Sequence, residues 1–168
     1  MNRPLPIALA LLLVSAAIAL ADRELSWPAA DKLPKNVKLH AAGKLAKEAV
    51  VEVSGPNDKE VEILVVDEPK APHHRYMLKG KVKYKGVGKE AYVEMWSHFS
   101  DDNKYFSRTL SEEGPTAKIQ GDSDWREIVL PFVSKEDYLP SKLVVNVVLP
   151  GEGTIYLTTF TLMKLPDE

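Results

Sequence analysis

The sequence contains no cysteine. That excludes disulfides, thiol nucleophiles, thiolate-ligated metals and a lipid-modified N-terminal cysteine. Aromatic residues are few, 8% of 168, and only three of them are tryptophan. Charge of either sign is balanced: 22 basic residues against 24 acidic ones, net −2. Such a chain carries no general positive field for nucleic acid. Beyond the first 21 residues there is no apolar run near the ~20 residues that a spanning helix needs. Catalytic signatures are missing too. There is no GxSxG elbow, no glycine-rich phosphate loop before a helix and no HExxH pair.

What is present suits one globular domain: 45% apolar and 27% charged residues, with 12 prolines and nine glycines that favour turns over long helices. The first 21 residues stand apart. Arg3 is their only charge, Ile7 to Leu20 is apolar, and Ala19-Leu20-Ala21 places small residues before Asp22. A charged start, a short apolar core and an A-x-A site are the marks of a secretory signal peptide cleaved after residue 21. A lead-in over 22–47 follows, extended or irregular around Pro28 and Pro34, with a short helix in prospect over Ala41–Ala49. The expected destination is the periplasm or the medium, without a membrane anchor after cleavage.

From residue 48 to 168 the pattern is β. Val50–Val53, Val61–Val66, Tyr76–Tyr84, Ala91–Phe99, Tyr105–Leu110, Arg126–Phe132, Lys142–Leu149 and Thr154–Leu162 read as strands, with Ala117–Ile119 as a short extra one. Turn clusters such as Ser54-Gly55-Pro56-Asn57-Asp58 and Pro150-Gly151-Glu152-Gly153 separate them. Short strands joined by short turns predict an all-β fold, an antiparallel β-sandwich of jelly-roll type, over βαβ units. Lys142–Leu149, nearly all valine and leucine, reads as a central strand buried on both faces.

Alternation along Ala91–Phe99 separates two faces. Val93, Met95 and Phe99 form the core row. Tyr92, Glu94, Trp96 and His98 form the other, where stacking surfaces alternate with hydrogen-bonding groups. Such a mixture suits a sugar, whose CH faces stack on aromatics while its hydroxyls are hydrogen-bonded. A second packed layer with satisfied polar groups gives the same alternation, so both readings stand at the sequence level. Trp125 and Glu127 join this patch if their strand neighbours Ala91–Phe99. Glu94 and Glu127 would pair as glycosidase carboxylates only across a cleft of ~5–9.5 Å. Asn146 is the one polar residue in its apolar run and needs a hydrogen-bonding partner.

Lys79, Lys81 and Lys83 alternate on one face and read as the solvated edge strand that blocks sheet-to-sheet pairing. Asp101-Asp102-Asn103 and Asp122-Ser123-Asp124 have oxygens enough for a structural calcium, although turn chemistry explains them more simply. His73-His74 lacks metal-ligand spacing. No cofactor is called for.

Three stretches carry a family resemblance. Tyr92-Val93-Glu94-Met95-Trp96-Ser97-His98-Phe99 is the first. Gly121-Asp122-Ser123-Asp124-Trp125-Arg126-Glu127-Ile128-Val129-Leu130-Pro131-Phe132 is the second, and Leu149-Pro150-Gly151-Glu152-Gly153-Thr154-Ile155-Tyr156-Leu157 the third. Together they resemble galactose-binding-like, carbohydrate-binding β-sandwich modules of exported bacterial proteins, and also the extracytoplasmic module of antibiotic-sensor-type membrane metallopeptidases. Where such modules often carry an Asp-Asp pair after the last aromatic, this chain has Thr158-Thr159. The resemblance implies a non-catalytic module that binds a carbohydrate or similar polar ligand. The alternative is a protein-interaction or structural module of the cell envelope.

Overall fold

The computed structural model describes residues 22–166, so the leader expected over 1–21 lies outside the described residues. Ten strands and one 3-10 turn (Ala30–Lys32) make up the regular structure among them. In chain order the strands are β1 (Arg23–Glu24), β2 (Val37–His40), β3 (Val50–Ser54), β4 (Val61–Asp67), β5 (Arg75–His98), β6 (Lys104–Arg108), β7 (Ile119–Val133), β8 (Lys142–Val148), β9 (Thr154–Thr158) and β10 (Thr161–Lys164).

All pairings between these strands are antiparallel, and the strands form two layers. In the first layer the N-terminal half of β5 has β7 on one side and β9 and β10 on the other. The layer continues through β3 to β2, and β1 pairs with β10. The second layer has the order β4-β8-β5-β6 and uses the C-terminal half of β5. The core between them draws Val51, Leu78, Leu130 and Ile155 from the first layer, and Ile63, Val93, Met95 and Val145 from the second.

Tyr76–Tyr84 and Ala91–Phe99 are thus parts of one strand. β5 runs for 24 residues and changes layer near Gly86, which takes a φ of +63°. Its register against β7 shifts three times over this stretch, so one chain serves both sheets through bulges rather than a reverse turn. Tyr76, at the start of β5, donates its hydroxyl to Ser97 Oγ near the end of the same strand at 2.7 Å. Both are fully buried, and burial raises the Tyr76 pKa, keeping the phenol protonated. Gly153 ends the β8–β9 turn with a φ of +131°, and a Cβ there would lie 2.7 Å from Val87 Cα.

The sequence differs from the structure in four further places. Residues 22–47 contribute β1 and β2, with Leu25 and Val37 in the core and the Trp27 ring edge-on to Phe160 at 5.8 Å. No helix forms over Ala41–Ala49, where turns and bends bring the chain into β3. Lys79, Lys81 and Lys83 are not on an edge, because β5 is paired on both sides there. They stand on the outer face of a central strand, with Lys79 2.8 Å from Glu127 and Lys83 3.1 Å from Asp124. β8 is central, as its composition predicts, yet it is not buried on both faces: Lys142, Val144 and Val148 are half-exposed.

Candidate functional site

The outer face of the second layer carries the site. Antiparallel register places side chains of β4, β8, β5 and β6 in rows across the sheet. One row is Glu62, Asn146, Glu94 and Arg108. The next holds Val65, Val144, Trp96 and Phe106. The third holds Asp67, Lys142, His98 and Lys104. Tyr92 lies beyond the first row, opposite Val148. Tyr92, Glu94, Trp96 and His98 line an open groove of about 580 Å³, walled on one side by the β3–β4 loop at Asn57–Glu60. Among the described residues no second layer covers these side chains: Tyr92, Trp96 and His98 are half-buried, while Glu94 is sunk to 3% exposure.

Glu94 organises the groove. Its Oε1 accepts from the Trp96 indole N–H at 2.8 Å and from Asn146 Nδ2 at 3.0 Å, and its Oε2 from Arg108 Nε at 2.8 Å. Burial pushes the carboxyl pKa up. Hydrogen bonds from Asn146, Trp96 and Arg108, with the Arg108 charge, outweigh that effect and hold it below the ordinary value. Glu94 is therefore an acceptor at neutral pH, not a proton donor. Asn146 is satisfied by this bond, and its buried position is accounted for.

The same carboxylate orients the aromatics. Trp96 is tethered at its nitrogen and braced by Phe106, edge-on at 5.1 Å. The Arg108 guanidinium lies 4.0 Å from the Phe106 ring centre and 5.3 Å from that of Tyr92. Only its Nε is used in a hydrogen bond within the protein among the described residues. Lys104 Nζ is 5.4 Å from the Trp96 ring centre. Burial first, then the ammonium groups of Lys142 and Lys104, lower the His98 pKa, so its imidazole is neutral at pH 7.

Trp125 and Glu127 are not part of this groove. Their strand, β7, pairs with the N-terminal half of β5, and Glu127 is opposite Lys81 in the other layer. Glu94 and Glu127 consequently do not face each other across a cleft. Arg108, Lys104, Phe106 and Lys142 are groove-face residues that single-strand alternation did not single out. Their own alternation was readable, but which strand lies beside Ala91–Phe99 was not.

The turn carboxylates are engaged elsewhere. Asp101 Oδ1 accepts from the Tyr138 hydroxyl at 2.6 Å, Asp122 Oδ1 from the Gly86 amide at 2.8 Å, and Asp124 Oδ1 from the Trp125 amide at 2.9 Å. Among the described residues no group of three or more histidines and acids is placed to hold a metal ion. Thr158, which stands where the resemblance led one to look for acid, is 3% exposed and accepts the Lys81 amide at 2.9 Å. A second hollow of about 810 Å³ lies at the end of the sandwich, where Phe99 stacks on Tyr138 at 4.1 Å and Tyr105 and Phe106 are half-exposed.

Comparison with known proteins bears on the architecture. A family 30 carbohydrate-binding module superposes with a TM-score of 0.54 over 89% of this chain and 90% of its own, at 10% sequence identity. A family 16 carbohydrate-binding module does so with a TM-score of 0.52 over 82% of this chain and 90% of its own, at 16% identity. No protein-family model matches the sequence, and no curated protein matches it. The chain therefore has the β-sandwich fold of carbohydrate-binding modules, and at these identities the likeness concerns fold.

Proposed function

We propose that this protein is an exported, non-catalytic module that binds a carbohydrate in the groove of the β4-β8-β5-β6 sheet. The observation that carries the reading is the Glu94-tethered Trp96, a fixed aromatic surface flanked by polar groups in an open groove. Apolar stacking together with a few placed hydrogen-bonding groups is what sugar recognition requires. Tyr92 and Trp96 supply stacking surface, Arg108 and His98 supply hydrogen bonds, and Glu94 holds the arrangement. The sandwich fold shared with carbohydrate-binding modules supports the same reading. So does the low pKa of Glu94, since an ionised carboxylate that already accepts three hydrogen bonds is poorly suited to general-acid catalysis. Export rests on the leader pattern of residues 1–21.

Isothermal titration against a panel of oligosaccharides tests the function. Binding by the intact protein is expected to be lost, or weakened about 5- to 30-fold, in a folded Trp96→Ala variant, as losing one well-placed aromatic costs about 1–2 kcal/mol. Unchanged affinity in that variant would remove the groove from the account.

A second reading, a protein-interaction module of the cell envelope, is favoured by the sandwich end. Tyr105, Phe106, Val133 and Leu139 are each 46–57% exposed there. A protein partner whose binding is insensitive to Trp96→Ala but lost on Tyr105→Ser would favour it.

A further inference from the structure

The rows of the groove differ in charge, and one of them is cationic. Lys142 on β8 and Lys104 on β6 flank His98 on β5 in directly opposed register. Neither ammonium has a carboxylate within 4 Å among the described residues, whereas the outer face of the other layer pairs Lys79 with Glu127 and Lys83 with Asp124. Asp67 on β4 is opposite Lys142 and is the acid in the row, yet it forms no ion pair with it. The adjoining row is the aromatic one, with the Lys104 ammonium 5.4 Å from the Trp96 ring centre.

Lys142 and Lys104 stand two strands apart on either side of His98, about 10 Å between their backbones. His98 between them is neutral or cationic in either protonation state, so the imidazole cannot serve as their counter-charge. The opposite end of the groove is acidic on balance, with Asp58, Glu60 and Glu62 of the β3–β4 segment set against the single cation Lys59. The groove is thus polarised, with the free cations beside the stacking surface and the acids away from it. A neutral sugar has no use for that division. A sugar bearing an anionic group does: its ring stacks on Trp96 while its anion reaches the ammonium groups one row, about 7 Å, further along the strands.

Resting on the carbohydrate-binding reading above, we infer that the ligand is an acidic glycan. Its sugar rings carry a carboxylate or sulfate that is received by Lys104 and Lys142, and the chain is oriented with its neutral or cationic end toward Glu60 and Glu62. Carboxylate and sulfate share this chemistry, and the ammonium groups accept either.

Titration of the protein with short oligosaccharides at about 0.15 M salt, where long-range attraction is screened, tests the inference. The set comprises oligouronates, their methyl esters, sulfated oligosaccharides and neutral oligosaccharides. An oligouronate is expected to bind at least about tenfold more tightly than its methyl ester, or a sulfated sugar than its unsulfated parent. Either margin is what one or two charge-assisted hydrogen bonds supply. The arm that shows the preference identifies the anion. The preference should vanish in Lys104→Ala/Lys142→Ala and persist in Lys81→Ala/Lys85→Ala, which removes the same charge from the other layer. Equal affinity for acid and ester and for sulfated and unsulfated sugars, with binding still sensitive to Trp96→Ala, would overturn the acidic ligand and leave the carbohydrate site standing. A preference that survives the Lys104/Lys142 variant would overturn the assignment of the anion to these two lysines. No binding to any sugar would overturn both.

Discussion

Glu94 is a nearly buried carboxylate that stays charged because every competing effect has been answered. Burial alone would raise its pKa, but the Asn146 and Trp96 donors and the Arg108 guanidinium outweigh it and hold the carboxyl below its ordinary value. A group whose pKa is lower folded than unfolded stabilises the protein fully above its unfolded value. That contribution is lost as pH falls through the folded one. Glu94→Gln is therefore expected to reduce stability at pH 7 by about 2–3 kcal/mol, as Arg108 keeps part of its hydration. The loss relative to the native protein should shrink as pH falls from the ordinary carboxylate value, where the unfolded chain begins to take up the proton, through the lower folded one. Urea unfolding at a series of pH values checks this, and a penalty independent of pH would mean that Glu94 acts through shape and not charge. Tyr92, Glu94, Trp96 and His98 were legible as one face because a strand repeats every two residues. Trp125 and Glu127 were legible as a face of their own strand, but alternation says nothing about which strand is the neighbour.

At the scale of the element, β5 decides most of the architecture. One 24-residue strand contributes to both layers, so its two ends must be fastened across the core. The Tyr76–Ser97 hydrogen bond does this, joining residues 21 apart in sequence where no water reaches. Tyr76→Phe leaves the Ser97 hydroxyl buried without that donor and is expected to cost about 1–2 kcal/mol in chemical denaturation with no change of fold. A cost near zero would show that Ser97 finds another partner. The sequence divides this strand in two because Lys85 to Glu90 contains two glycines and few apolar residues, the composition of a turn. The chain instead continues through bulges, since β7 and β9 lie alongside and take up its backbone hydrogen bonds. The lysines of β5 mislead for the same reason. Alternating lysine marks a solvated face, and that face belongs equally to an edge strand or to a central one.

For the whole molecule, the segment 22–40 matters beyond its short strands. β1 closes one side of the first layer against β10, β2 extends the other against β3, and Leu25 and Val37 fill core positions with Trp27 packed beside them. Trp27 also donates its indole N–H to the Ala49 carbonyl at 3.2 Å. Starting the chain after residue 40 removes these side chains and leaves Phe160 and β3 uncovered. Two buried aliphatic side chains and a packed tryptophan correspond to at least about 4 kcal/mol, a large part of a typical domain's stability. The shortened protein is expected to unfold at much lower denaturant than the chain beginning at Asp22, or to fail to fold. Equal denaturation midpoints would show the segment to be dispensable.

Local pattern in the sequence specifies the class of fold, most strand positions and the division of each strand into a core face and a polar face. These follow from local rules: β-branched content, turn residues and a period of two. It also brought Tyr92, Glu94, Trp96 and His98 together, since they share one strand. That Lys104, Phe106, Arg108 and Lys142 stand beside them, and that Trp125 and Glu127 do not, follows from the pairing of the sheets. Only the tertiary structure shows that the face is an open groove. Strand neighbours are chosen by the packing of the entire core, so contacts between strands distant in sequence depend on every other pairing in the sheet. No local pattern records that choice.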